Sequence, residues 1–142
     1  MLLKLDLSKA YDKLNWNFLV GLLQTFGLSD QWIDWVMKLV SSAFFIILVN
    51  ETPSHPFQVL RGIHQGDPLS PFLFIIAIEG LGRMLKNLRN ENRLKGILLS
   101  AELEPQTHQQ FVDDIMLMGP STIQEARGLQ EGLDTFLEAS GL

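Results

Sequence analysis

The segment QQFVDDIMLMG, residues 109–119, places two adjacent aspartates between two apolar runs. This pattern predicts a strand, a tight turn and a second strand, with Asp113 and Asp114 at the turn. Two-residue hairpin turns prefer Asn-Gly or Asp-Gly, because both central residues need a positive φ. Adjacent carboxylates also repel each other, so an Asp-Asp pair at this place needs a reason beyond turn chemistry.

The sequence around this hairpin predicts an α+β fold, an antiparallel sheet packed by helices. Further strands are expected at residues 2–7, 44–49, 57–60 and 97–99, with a loop at residues 101–107. Two helices are expected early in the chain, one from the cap Asn15 to Phe26 and one from the cap Ser29 to Val40. A third helix should begin at the cap Ser70, with Pro71 as its first helical residue, and continue into a basic stretch. A last helix should run from the capping box formed by Thr122 and Glu125 to Gly141. Strands and helices mix without a strict βαβ alternation, which favours an antiparallel sheet.

Two apolar stretches are predicted to be buried. Residues 44–49 form an unbroken apolar run rich in strand-forming residues. The first two turns of the third helix, FLFIIAI at residues 72–78, are apolar on every side. We expect both stretches to lie inside the core.

The bulk composition limits the kind of protein this can be. The chain has 142 residues, 46% of them hydrophobic, which is enough for one globular domain. It has no cysteine, so disulfides and thiolate metal sites are excluded. The N-terminal segment MLLKLDLSKAYD is too charged for a secretory signal, and no apolar run approaches a membrane span. We therefore expect no membrane partner and no secretion.

The charge is distributed unevenly along the chain. The net charge of −5 argues against a dedicated nucleic-acid binder. Five basic residues nevertheless stand between Arg83 and Lys95 against the single acid Glu91. This basic helix end is open to two interpretations, a contact with phosphates or a solvated surface.

A divalent cation would explain the paired aspartates. Mg²⁺ prefers hard oxygen ligands and is commonly bound by one or two carboxylates together with substrate phosphates. A third acid, Asp6, ends the first predicted strand. Two-metal phosphoryl transfer uses carboxylates to hold two ions across the reacting phosphate. An acidic surface turn is the alternative, and spacing alone cannot bring residues 6 and 113 together.

Three stretches in order resemble known catalytic motifs. They are LKLDLSKAYDKLNW at residues 3–16, RGIHQGDPLSPFLF at residues 61–74 and FVDD at residues 111–114. They resemble motifs A, B and C of reverse transcriptases, above all of the LINE-type non-LTR retrotransposons in the form found in plant genomes. The resemblance extends over essentially the whole chain. The motif C tetrad departs from the common FADD or YADD by one small apolar change.

The resemblance implies an RNA-directed DNA polymerase palm. Asp6 matches the metal ligand of motif A, and Asp113 and Asp114 match the acids of motif C. These three residues are the expected catalytic and metal-binding set. They would hold two Mg²⁺ ions, or Mn²⁺, while a primer 3′-hydroxyl attacks the α-phosphate of a dNTP. Leu7 would offer its backbone carbonyl to a metal.

The resemblance also implies a set of substrate-binding residues. Tyr11 matches the aromatic residue that excludes a 2′-hydroxyl and so selects dNTP over rNTP. Gln65 matches the motif B glutamine that lies along the incoming nucleotide. Gly66 would allow the backbone to approach base and template closely. Arg61 is a candidate contact to phosphate or template.

The same resemblance sets expectations about partners and completeness. RNA template, DNA primer and dNTP are the expected partners, together with the fingers, thumb and endonuclease regions of a longer element. Residues 1–142 are expected to form a single partial domain, a palm without fingers and thumb, located in the nucleus or cytoplasm. We expect little or no activity from this chain alone. Two alternatives remain, a non-catalytic retrotransposon-derived remnant and a group II intron maturase-type enzyme.

Overall fold

The chain combines short strands with five helices in the part that the computed structural model describes, residues 1–100 and 102–142. The elements in chain order are β1 (Leu2–Asp6), α1 (Ala10–Lys13), α2 (Trp16–Thr25), α3 (Asp30–Ser41), β2 (Phe44–Phe45), β3 (Leu48–Val49), β4 (Thr52–Pro53), β5 (Phe57–Gln58), α4 (Ser70–Asn90), β6 (His108–Phe111), β7 (Asp114–Met118) and α5 (Ile123–Ser140). This is the expected α+β arrangement.

The main sheet has three antiparallel strands in the order β1-β7-β6. The register pairs Leu5 with Ile115 and Asp6 with Asp114. Successive side chains of a strand point to opposite faces, so these two pairs lie on opposite faces of the sheet. Ile115 and Leu117 are almost completely buried, which identifies their face as the core side. The face that carries the aspartates is therefore the open one.

Helices α2, α4 and α5 supply the other half of the core. Helix α4 contacts both α2 and α5 and contributes buried residues along its whole length. Phe18 of α2 meets the buried Phe136 of α5 edge to face, with ring centroids 5.7 Å apart. The sheet rests on this layer, so one of its faces is fixed by packing and the other remains accessible.

Three predicted helix caps are confirmed. The side chains of Asn15, Ser29 and Thr122 accept backbone N–H groups at the starts of α2, α3 and α5. Gly141 ends α5 with a φ of 78°. The expected cap Ser70 is wrong by one residue: it is the first residue of α4, and Leu69 precedes it. The reason is that Asp67 Oδ1 accepts the N–H of Leu69 at 2.7 Å and starts the turn earlier.

The buried strand expected at residues 44–49 is wrong. The run is divided between β2, which pairs with β5, and β3, which pairs with β4. Its side chains are mostly in solvent, Leu48 being 70% exposed. The return strand is correspondingly limited to Phe57–Gln58, and Leu60 is exposed. An apolar run can predict a strand, but its burial depends on which other elements pack against it.

Other boundaries also differ from expectation. Phe72 and Ile75 are exposed, so the first turns of α4 are not buried on every side. Residues 97–99 form only a bridge between Ile97 and Gln106. Of the predicted loop 101–107, residue 101 lies outside the described residues. Within the described residues, no helix has the length and apolar character needed to cross a bilayer.

Candidate active site

The β1 strand and the β6–β7 hairpin bring the three predicted acids to one end of the sheet. Asp6 is the direct antiparallel partner of Asp114. The backbone N–H of Leu7 donates to the carbonyl of Asp113 at 3.2 Å. The side chain of Leu7 is buried in the core, which anchors the segment that follows Asp6. Residues more than 100 positions apart in the sequence are therefore neighbours here.

The hairpin turn is formed by Val112 and Asp113, and not by the two aspartates as expected. Phe111 pairs with Asp114, so Asp114 is the first residue of β7. Val112 has a φ of 55°, in the left-handed region. A β-branched residue is rare in that region, and the conformation costs on the order of 1–2 kcal/mol. The strained residue directly precedes the first acid of the pair.

Asp114 is held by a lysine on the neighbouring strand. Lys4 Nζ lies 3.0 Å from Asp114 Oδ1, with side-chain exposures of 65% and 45%. Both residues belong to the open face of the sheet. A cavity of about 470 Å³ lies on this face and is lined by Lys4, Phe111, Asp114 and Met116, among others. Asp114 thus borders a space that a ligand can enter.

The fit of this site to a divalent cation rests on its donor chemistry. Asp6 and Asp114 offer hard carboxylate oxygens from directly opposed positions, and two carboxylates are a usual protein contribution to a Mg²⁺ site. The Lys4 ammonium on Asp114 shows that this face already attracts a cation. In the described part of the chain, however, no group of three or more acidic, histidine or cysteine side chains is arranged to hold a metal. By donor chemistry, Asp6 and Asp114 fit a divalent cation, and Asp113, directly before Asp114 in the turn, is a third carboxylate at the same end of the sheet.

The predicted nucleotide-selecting residue is fixed by an aromatic stack. The Tyr11 ring stacks on Phe74 of α4, with centroids 4.6 Å apart and planes 20° from parallel. The Tyr11 carbonyl accepts the N–H of Ile63 at 2.7 Å. Tyr11 is half-buried and packs against the core. The ring therefore has a rigid support from the helix that follows the 61–69 loop.

The 61–69 loop is bound closely to the segment around α1. Gly62 donates its N–H to the Leu14 carbonyl at 2.7 Å, and its own carbonyl accepts the Trp16 indole N–H at 2.6 Å. Gly62 has a φ of 84°, and a Cβ at this place would lie 2.6 Å from the Asp12 carbonyl oxygen. Only glycine satisfies both the conformation and the close approach.

The other predicted substrate-binding residues lie on the same loop. Gln65 Nε2 donates to Asp12 Oδ1 at 3.5 Å, which places the glutamine beside α1. Gly66 has a φ of 93° and open space where a Cβ would stand. Arg61 and Gln65 line a cavity of about 540 Å³ that extends towards the exposed apolar run of residues 44–49. The structure thus gathers Tyr11, Arg61, Gln65 and Gly66 around one loop.

Two of the five basic residues at the end of α4 and just after it are paired with acids within the chain. Arg89 donates to Glu104 at 2.5 Å and to the Pro105 carbonyl at 2.6 Å. The hydrogen bond from Arg89 lowers the pKa of Glu104. Arg93 pairs with Glu131, which raises the pKa of the guanidinium. These pairings favour the interpretation of this stretch as a solvated surface.

Two contacts at the site were not found from the sequence. Lys4 was not predicted as part of the site, although a residue two positions before Asp6 on a strand lies on the same face. The support of Tyr11 by Phe74 was also missed, because it joins residues that are 63 positions apart and depends on the fold.

Comparison with protein families identifies the chain. The profile of the family described as reverse transcriptase (RNA-dependent DNA polymerase) matches residues 1–142. The transposon TX1 uncharacterized 149 kDa protein of Xenopus laevis is 28% identical over 97% of this chain and 10% of its own length. The retrovirus-related Pol polyprotein of the R2 element of Popillia japonica is 28% identical over 80% of this chain and 18% of its own length. The corresponding R2 protein of Drosophila melanogaster is 29% identical over 94% of this chain and 12% of its own length. The chain spans less than a fifth of the length of each of these three proteins.

Solved structures share the fold. One is telomerase from Candida albicans in complex with the TWJ fragment of telomeric RNA. It superposes with a TM-score of 0.71 and is 16% identical, and the match covers 99% of this chain and 25% of the telomerase chain. Apo telomerase from Candida tropicalis gives a TM-score of 0.66 and 16% identity over 94% and 26%. The expected palm-like architecture is confirmed. The chain belongs to the reverse transcriptase family, and the relatives named above are transposon and retrotransposable-element proteins.

Proposed function

We propose that this chain is the palm segment of an RNA-directed DNA polymerase that transfers a nucleotide from dNTP onto a primer 3′-hydroxyl. The observation that carries the proposal is the direct pairing of Asp6 with Asp114 beside Asp113. Opposed carboxylates on an open face repel each other and serve no packing purpose. Binding of a cation gives them a role.

Asp6, Asp113 and Asp114 are the proposed ligands of two Mg²⁺ ions, and Mn²⁺ suits the same oxygen donors. Bound there, the metal would lower the pKa of the primer hydroxyl and neutralise charge that develops on the α-phosphate. The chain's own contribution is positional. The Leu7 N–H to Asp113 carbonyl bond and the β1–β7 ladder hold the carboxylates at one end of the sheet.

Tyr11 is proposed to select dNTP over rNTP. Its stacking on Phe74 prevents the ring from yielding to a 2′-hydroxyl. Replacement of Tyr11 by Ala should therefore increase the relative use of rNTP in primer extension, while Tyr11→Phe should preserve discrimination. Equal discrimination by the Ala variant would reject this role.

The loop residues are proposed to contact nucleotide and template. Gln65 would lie along the incoming nucleotide, Gly66 would allow close backbone approach, and Arg61 would meet phosphate or template. Their support is their common location on the loop that is bound to α1. Leu7 is proposed to offer its carbonyl oxygen to a metal, and the bond from its N–H to the Asp113 carbonyl holds its backbone beside the acids.

RNA template and DNA primer are the proposed partners, together with fingers, thumb and endonuclease regions of a longer polyprotein. The chain spans only 10% to 18% of the TX1 and R2 proteins named above. The exposed apolar run of residues 44–49 offers a surface for such regions. We propose that the 142-residue chain extends a primer weakly or not at all by itself.

Primer extension tests the proposal. In a polyprotein that contains this segment, Asp113→Asn and Asp6→Asn should abolish metal-dependent extension. Asp34→Asn is the matched control, because Asp34 pairs with Lys38 on α3 and lies outside the site. Extension that survives Asp113→Asn would refute the assignment. Robust extension by the 142-residue chain alone would refute its proposed incompleteness.

The second candidate is a non-catalytic remnant of a retrotransposon. Two observations favour it. Among the described residues, no three acidic, histidine or cysteine side chains are arranged to hold a metal, and the apolar run of residues 44–49 is exposed. A remnant would show no extension even when complementary polymerase regions are supplied. The maturase alternative is disfavoured, because the relatives reported above are transposon and retrotransposon proteins.

A further inference from the structure

We propose that Lys4 occupies the cation-binding position of Asp114 and competes with a divalent metal for that carboxylate. This inference rests on the proposed function, since it assumes that Asp114 binds metal. Its basis is the ion pair of Lys4 Nζ with Asp114 Oδ1 at 3.0 Å. The Lys4 ammonium is thereby assigned a regulatory role at the metal site, which the polymerase reaction itself does not require.

The strand register determines this contact. Lys4 pairs directly with Met116, and Asp6 pairs directly with Asp114. Lys4 is therefore diagonal to Asp114 across the β1–β7 pair, a separation that long side chains can bridge. Lys4 and Asp6 also share one face, because two residues of a strand that are two positions apart point the same way. The lysine thus lies on the face of the two paired acids and lines the same cavity as Asp114.

The charge balance of this sheet end explains the competition. Asp6, Asp113 and Asp114 concentrate three negative charges there. Among the ion pairs of the described residues, Lys4 is the single partner of any of these three acids. A metal that binds through Asp114 must displace the ammonium or share the carboxylate with it. Lys4 therefore stabilises the metal-free site and weakens metal binding.

The expected size of the effect is small and measurable. Both side chains are substantially exposed, so solvent screens the pair. Exposed ion pairs of this kind rarely contribute more than a modest free energy. Removal of the lysine charge should therefore increase metal affinity by about two- to fivefold.

The test is a titration of Mn²⁺ into the 142-residue chain, followed by the paramagnetic resonance signal of free Mn²⁺. Lys4→Met should bind Mn²⁺ more tightly by the stated factor, and Lys4→Arg should match the wild type because it keeps the charge. Lys38→Met is the control, since Lys38 pairs with Asp34 on α3. In an Asp114→Asn background, Lys4→Met should have no effect. Thermal melts verify that each variant is folded.

The outcomes separate this inference from the proposed function. Unchanged or weaker Mn²⁺ binding by Lys4→Met, with wild-type binding that depends on Asp6, overturns the inference alone. A gain that persists in the Asp114→Asn background also overturns it, because the effect would then be a general change of charge. Binding that is insensitive to Asp6→Asn in every variant overturns the metal site and both proposals.

Discussion

Asp6 and Asp114 are direct cross-strand partners on the open face of the sheet. Like charges in this relationship destabilise an antiparallel pair by roughly 0.2–1 kcal/mol. Asp6→Asn should therefore increase the free energy of unfolding by about that amount, although it removes a proposed metal ligand. Urea denaturation of the metal-free chain measures the gain. Asp34→Asn, which removes an acid from an ion pair on α3, should give no gain, and a stability loss in Asp6→Asn would contradict the argument.

The strained turn residue Val112 provides a second test. Its φ of 55° is accessible to glycine at little cost, whereas every L side chain is strained there. Val112→Gly should stabilise the chain by up to about 1 kcal/mol, since part of the relief is lost to the greater freedom of glycine in the unfolded state. Val112→Ala is the matched control and should show no comparable gain. Thermal unfolding distinguishes the two variants.

The contact between Gly62 and Asp12 predicts a large destabilisation. A Cβ at residue 62 would lie 2.6 Å from a backbone oxygen, in a conformation with a φ of 84°. Gly62→Ala should cost roughly 2–4 kcal/mol, because strain and overlap act together. Gly66→Ala has the same backbone constraint with open space and should cost only about 1–2 kcal/mol. Equal costs in denaturant unfolding would show that the overlap is relieved by movement.

Some of the fold could be predicted from the sequence because it depends on local chemistry. The caps Asn15, Ser29 and Thr122 form hydrogen bonds within two or three residues, so their patterns are reliable. The apolar run of residues 44–49 indicated a strand but not its exposure, since burial depends on what packs against it. Asp113 was correctly expected at the hairpin tip, whereas the one-residue displacement of the turn depends on the register of β6 and β7.

The residues of the candidate site could be named from the sequence, but their arrangement in space could not. An Asp at a strand end and two more at a hairpin indicated carboxylate chemistry. The pairing of Asp6 with Asp114 required the fold, because the residues are 108 positions apart. The Lys4 ion pair depended on the same register.

Glu125 ties the segment that follows α4 to the start of α5. Its buried carboxylate accepts the backbone N–H groups of Lys95 at 3.0 Å and Gly96 at 2.9 Å. Glu125→Ala leaves these donors unpaired and should cost roughly 2–4 kcal/mol. Glu125→Gln keeps one oxygen acceptor and should cost less. The control in denaturant unfolding is Glu138→Gln on the same helix. Within the described residues, the Glu138 side chain forms no hydrogen bond.

His108 makes the stability of the chain depend on pH. Burial lowers its pKa in the folded state, and the nearby Glu79 only partly offsets this effect. The unfolded chain, with a histidine pKa of about 6.5, then binds more protons than the folded chain over the interval below that value. The stability is therefore fully present above pH 6.5 and decreases as the pH falls through it towards the lowered folded-state pKa. His108→Gln should reduce the difference in melting temperature between pH 7 and pH 5. The exposed His55, replaced in the same way, should leave that difference unchanged, and an equal response of the two variants would exclude burial of His108 as the cause.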